Sequence, residues 1–285
     1  MKMAFKIMRL DSSNVASRPR NAKREGKLDA EMRFHAAYRL FSKVLPGEVY
    51  GFETYRRWLH AHEKIMDEKD QRRNSRLFLN VAMNYEGRVV GAAITTYTAV
   101  ANLALFNLIS VKKEWQGNGI GKMLIRARIN ASNEFSVLAG NAGIKYIFTE
   151  IERPEFTKNQ EVLRRRMEHH DKNTQVRAVV ALDGNVLGRS SYLFAFRNMA
   201  EPNATTMLAK DVGKILYWYH QEYIDWPKIG FTKKEGTEIL SLRLNRISPE
   251  KITPNAIAKH GLDVLKRIPA RLKLELMRLP DILPK

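Results

Sequence analysis

The chain has 285 residues, a formal net charge of +19 and no cysteine. That length allows one large domain, or one domain with an appendage. The missing cysteines exclude disulfides, thiolate zinc sites and a cysteine nucleophile. The charge points either to a polyanion (nucleic acid, an anionic membrane or a polyanionic cofactor) or simply to high solubility. No apolar run reaches the roughly 20 residues that span a bilayer. The basic N-terminus is too broken by Lys6 and Arg9 to serve as a signal peptide, so a cytoplasmic location is the default expectation.

Residues 3–11 read as a short strand, and residues 12–27, polar and basic with a Pro and a Gly, as a loop. Phe34, Ala37, Tyr38, Phe41 and Leu45 then recur at helical spacing, and Pro46–Gly47 ends that helix. A second helix carries Phe52, Tyr55, Leu59, His62 and Met66 on one face. Three strands follow over residues 76–85, 88–100 and 104–111. The short turns between them imply antiparallel neighbours. A glycine-rich stretch, EWQGNGIGKML, opens a further helix. Residues 143–152 read as a buried strand that pairs in parallel after its helix. A charged helix comes next, then two strands within residues 174–182 and 190–198 joined through DGNVLGR. The character changes near residue 201. We therefore expect a domain over 1–200 and a basic, helical C-terminal extension over 201–285.

The glycine stretch carries the chemistry. Glycine permits sharp bends and lets a ligand approach the main chain, and the free amides of a helix start favour phosphate. Gln116, Gly117, Asn118, Gly119, Ile120, Gly121 and Lys122 thus form a candidate pyrophosphate cradle. A P-loop would need Ser or Thr after Lys122, where Met123 stands. The dinucleotide pattern would need a glycine at the position of Lys122. The pattern that fits is Q-x-x-G-x-G, at Gln116, Gly119 and Gly121.

On this motif, and on the element order around it from Phe5 to Asn198, the sequence resembles the GNAT family, the Gcn5-related N-acetyltransferases. The resemblance implies an α/β (α+β) GNAT acyl-CoA N-acyltransferase fold, a mixed central sheet flanked by helices. It implies an acyltransferase that moves acetyl from acetyl-CoA directly to an amine; no carboxylate–histidine cluster has metal-ligand spacing, so no metal is expected. The cradle would hold the pyrophosphate, and the main chain of Leu108, Ile109, Ser110 and Val111 would pair with the pantetheine arm. The transfer needs a base to take the amine's proton and an acid near the leaving thiolate. Glu150 and Glu152 share one side of a strand, and either can be the base; both can equally face solvent or pair with arginine. The family's acid, often a Tyr, falls near His170 here, with Tyr192 as its rival. Asn159 is a candidate pantetheine contact or a helix cap.

The acceptor is open among a polyamine, an aminoacyl-tRNA, a protein lysine and an antibiotic amine, and the charge favours an anionic macromolecule such as tRNA. The aromatic run of residues 215–226 suits a core or homodimer contact, or a base-stacking surface. The basic, apolar tail, with its two proline-flanked segments Pro254–Ile268 and Pro269–Leu279, suits an amphipathic helix that packs on its own domain ahead of a membrane surface or RNA. The alternative to an enzyme is a catalytically inactive GNAT-like module that binds nucleic acid or protein through its basic surface.

Overall fold

The architecture is that of a computed structural model. It describes residues 5–15, 28–44, 49, 51–64, 75–99, 101–152, 154, 159–180, 188–189, 192–208, 211–212, 215 and 273–283. The expected loop beyond residue 15, the Pro46–Gly47 turn, the aromatic run beyond residue 215 and the basic segment of residues 254–268 lie outside these residues. The class is α/β, a mixed sheet with four helices among the described residues. The chain divides into two compact units, with the division falling inside the fourth strand.

The first unit contains β1 (Lys6–Leu10), α1 (Leu28–Val44), α2 (Phe52–Lys64), β2 (Ser75–Met83) and β3 (Val89–Thr98), followed by the C-terminal half of β4 (Leu103–Val111) and α3 (Ile120–Leu138). β1 pairs antiparallel with β2, and β2 with β3. The β2–β3 turn is held by the Asn84 carboxamide, whose oxygen accepts from the backbone N–H of Glu86 and Arg88 at 3.1 and 3.0 Å. The Lys112 N–H donates to the Val90 carbonyl at 2.9 Å, which sets the end of β4 against the start of β3. The three strands are therefore antiparallel, as their short connections require.

Helix periodicity buries the faces it predicts. Phe34, Ala37 and Phe41 on α1, and Tyr55 and Leu59 on α2, are all inside. Between these helices the Arg56 guanidinium meets the Glu31 carboxylate in a buried, two-pronged ion pair, one prong at 2.9 Å. The Phe52 and Phe34 rings lie 4.8 and 5.6 Å from the same guanidinium. α3 packs on β2 and β3, and Gly91 on β3 makes that approach close. A Cβ at Gly91 would lie 3.0 Å from Ile120 Cγ2, 3.2 Å from Leu124 Cδ1 and 3.3 Å from the Ser110 carbonyl. We expect Gly91→Val to destabilise the fold by about 1–3 kcal/mol through overpacking. The denaturant midpoint reads this directly.

The second unit contains β5 (Tyr146–Glu152), α4 (Gln160–Asn173), β6 (Arg177–Val180), β7 (Gly188–Arg189), β8 (Tyr192–Asn198), β9 (Thr206–Leu208) and β10 (Lys273–Arg278). Its strand order is β5-β8-β6-β10-β9, with β7 beside β8, and every pairing among these strands is antiparallel. Phe148 of β5 packs against Phe194 and Phe196 of β8, with ring centroids 5.5 and 5.0 Å apart.

β10 corrects the expectation of a helical extension. Lys273–Arg278 is a strand inserted between β6 and β9. A short Leu-rich run satisfies helical and strand periodicity alike, and here pairing decides. Asp171 at the end of α4 fixes the new strand, accepting from Arg177 of β6 and, at 2.9 Å, from Arg278 of β10.

His169, also on α4, is half-buried, and desolvation lowers its pKa below the ordinary 6.5. The Asn173 amide nitrogen lies 3.1 Å from its Nδ1, an arrangement suited to the neutral ring. A histidine with a depressed folded pKa binds its proton more readily when unfolded. Its contribution is therefore complete above the unfolded pKa and lost as pH falls. Stability is expected to fall as pH drops through the ordinary 6.5 and below, and His169→Gln to flatten that slope in melts across pH.

Candidate functional site

The glycine loop lies wholly within the first unit. The 3-10 turn Lys113–Trp115 leads into it, and Trp115 stands edge-on to Phe5 with ring centroids 5.8 Å apart. The Gln116 side chain ties the loop to the strand before it, Nε2 donating to the Val111 carbonyl at 3.0 Å. Asn118 ties it inward, with Nδ2 donating to the carbonyls of Trp115 and Gln116 at 3.2 and 3.3 Å.

Gly117 and Gly119 have φ of 80° and 77°, a left-handed conformation that other residues adopt only under strain. A Cβ on either glycine would meet nothing within 4 Å, so both backbones border open space. Gly119 caps α3 without a side-chain bond. The first intrahelical bond runs from the Met123 N–H to the Gly119 carbonyl at 3.1 Å. The N–H groups of Ile120, Gly121 and Lys122 therefore precede the helix's own ladder and have no intrahelical acceptor. No acidic residue lies in the first turn, and Lys122 and Lys113 are exposed nearby. Ile120 anchors the cradle in a core cluster with Ala82, Val90, Ala93 and Leu124. The result is a set of open amides beside a strand end with lysines nearby, an arrangement suited to a phosphate oxyanion.

Leu108, Ile109, Ser110 and Val111 form the C-terminal half of β4. Ser110 is buried, and its Oγ has no hydrogen-bond partner among the described residues. The cradle, with open glycines and uncapped amides, and this orphaned hydroxyl on the adjoining strand both suit a phosphate-bearing thioester cofactor.

The candidate catalytic residues lie in the second unit. Glu150 and Glu152 are half-buried on β5, with buried Ile151 between them. Arg166 of α4 reaches Glu152 at 3.4 Å, an ion pair at the end of β5. The β5–β8 register sets Tyr192 opposite Glu152, and Phe194 opposite Glu150. His170 lies in the last turn of α4, where its carbonyl accepts from Thr174 N–H at 2.8 Å and from Thr174 Oγ1 at 2.6 Å. Asn159 is the N-cap of α4, with Oδ1 accepting from the Val162 N–H at 3.1 Å. Its capping role is thereby realised.

Sequence reasoning missed Arg128. This α3 residue is fully buried, with Nε donating to Thr95 Oγ1 at 2.7 Å and an amino group donating to the Ile94 carbonyl at 2.6 Å. Its guanidinium sits 4.0 Å above the Phe106 ring, and burial lowers its pKa to about 9. The residue type masked it, because arginine on a helix ordinarily marks the solvent face. Gly91 was more accessible to inference, since an isolated glycine in a strand signals close approach.

No curated protein sequence matches the chain significantly. Among solved structures, Ard1 from Thermoplasma volcanium is 15% identical, covers 68% of this chain and 97% of its own, and superposes with a TM-score of 0.39. The NatC complex bound to Gag peptide and CoA gives 13%, 69%, 99% and 0.41. Diaminobutyrate acetyltransferase EctA from Paenibacillus lautus, in complex with L-2,4-diaminobutyric acid and coenzyme A, gives 13%, 68%, 95% and 0.39. These likenesses are low, and the assignment rests instead on a sequence match of residues 34–140 to the acetyltransferase (GNAT) family. That span holds the whole glycine loop, so residues 34–140 are a GNAT acetyltransferase-family domain.

Proposed function

We propose that the protein transfers an acetyl group from acetyl-CoA to an amine. The observation that supports this best is the pair of open, left-handed glycines at an uncapped helix start, inside the span that matches the family. When bound, acetyl-CoA supplies an activated thioester. The amides of Ile120, Gly121 and Lys122 would hold its pyrophosphate, and the main chain of residues 108–111 would align its arm. Asn159, whose Oδ1 caps α4, would meet the arm through its Nδ2.

Glu150 or Glu152 would take the amine's proton. Arg166 lies 3.4 Å from Glu152, and both carboxylates stay candidates for the base. Tyr192, in register with Glu152, and His170 are the candidates for protonating the thiolate. Substituting the true base with glutamine is expected to lower kcat by about a hundredfold or more. It should also abolish the rise of rate with pH, while the other Glu→Gln variant stays close to wild type. Tyr192→Phe against His170→Gln separates the acids in the same way. The assay is thiol release from acetyl-CoA across a panel of amines, with the acetylated product identified by mass. If neither glutamine variant loses activity, this assignment of the base fails.

The +19 charge favours a second reading, an inactive module that binds nucleic acid through its basic surface. Such binding would weaken steeply with salt through counterion release. It would also be indifferent to both Glu→Gln changes. No helix among the described residues is long and apolar enough to cross a membrane.

A further inference from the structure

We infer that Asn107 holds the acceptor amine, its carboxamide oxygen taking a hydrogen bond from the nitrogen to be acylated; this rests on the transferase reading above. Asn107 is a carboxamide set in an otherwise apolar stretch of β4, Leu103 to Ile109. Its Nδ2 donates to Thr96 Oγ1 at 3.0 Å, and Thr96 is 1% exposed, so the amide is held from below by a buried neighbour. Asn107 itself is half-buried, and its Oδ1 takes no hydrogen bond among the described residues. A fixed amide with a free oxygen is a ready acceptor for an N–H group.

The side it faces follows from strand alternation. Thr95 receives the Arg128 bond from α3, so Thr96, the next residue, is turned away from α3. A side-chain bond to Thr96 places Asn107 on that same side. Its position along the strand follows from the cradle, which Gln116 pins to Val111. Asn107 directly precedes the segment 108–111 that would align the arm in the reading above.

The choice of a carboxamide has a chemical consequence. A carboxylate at this position would stabilise the ammonium form of an amine and hinder its deprotonation. A neutral oxygen binds the N–H without that effect. Asn107 therefore suits an acceptor bound as the free base.

The test uses full-length wild type, Asn107→Leu and Asn107→Asp, with spermidine, glycinamide and a hexapeptide bearing a free α-amine as probes. Thiol release gives KM and kcat, calorimetry gives acetyl-CoA affinity, and melts report folding. Asn107→Leu is expected to raise the amine KM about tenfold, the worth of one such hydrogen bond, with acetyl-CoA affinity unchanged. Asn107→Asp, which keeps the oxygen, is expected to bind amine well but to move the rising limb of the pH profile upward by about one unit. Wild-type transfer with an amine KM unaltered in Asn107→Leu, or a pH profile unmoved in Asn107→Asp, overturns this inference alone. Acetyl-CoA binding without transfer to any probe, or no binding, in wild type overturns the transferase reading and this inference with it.

Discussion

Gly119→Glu is expected to weaken acetyl-CoA binding by about a hundredfold or more while the protein stays folded. Two costs act at this position. Glu must take the left-handed φ of 77° that Gly119 holds, at about 1–2 kcal/mol. Its carboxylate then enters the open space beside the amides of Ile120, Gly121 and Lys122, where it repels a pyrophosphate and competes for the same donors. Gly119→Ala carries the strain without the charge. It should keep most of the affinity, because a Cβ at this position meets nothing within 4 Å. Calorimetry on both variants separates charge from backbone. Equal loss in the two would mean that loop geometry alone governs binding.

Arg56→Ala is expected to cost about 3–5 kcal/mol of stability, the largest effect we anticipate from a single side-chain truncation in the first unit. Glu31 is 5% exposed and Arg56 1% exposed. Removing the guanidinium leaves the Glu31 carboxylate buried and takes the cation from the Phe34 and Phe52 rings. The double variant Arg56→Met with Glu31→Leu should recover much of the loss, because a pair of apolar side chains leaves no buried charge behind. Equilibrium denaturation of Arg56→Met, Glu31→Leu and the double variant gives the cycle. A single variant within about 0.5 kcal/mol of wild type would show that the pair is not a structural tie.

Much of the first unit was legible because its physics is local. The order of strand, two helices, three strands and glycine-opened helix follows from periodicity and turn residues, and Gly117 and Gly119 stand where the chain turns left-handed. Asn159 was legible as a cap for the same reason, since its oxygen serves an amide three residues on. What escaped depends on contacts distant in sequence. β10 forms only because β6 and β9 flank it and Asp171 holds Arg278, 107 residues away. Pairing register alone sets Tyr192 against Glu152. Arg128 is buried because Thr95 and the Ile94 carbonyl satisfy it, which no property of its own helix announces. Gln116 was assigned to the cradle by the motif, and its side chain holds the loop to Val111.

The central claim is that the glycine loop of the first unit holds an acyl-CoA. Calorimetric titration of the wild-type chain with acetyl-CoA tests it most directly. One site per chain with micromolar affinity, weakened in Gly119→Glu and preserved in Glu150→Gln and Glu152→Gln, is the predicted result. No saturable binding at millimolar acetyl-CoA by a folded wild-type protein would contradict it.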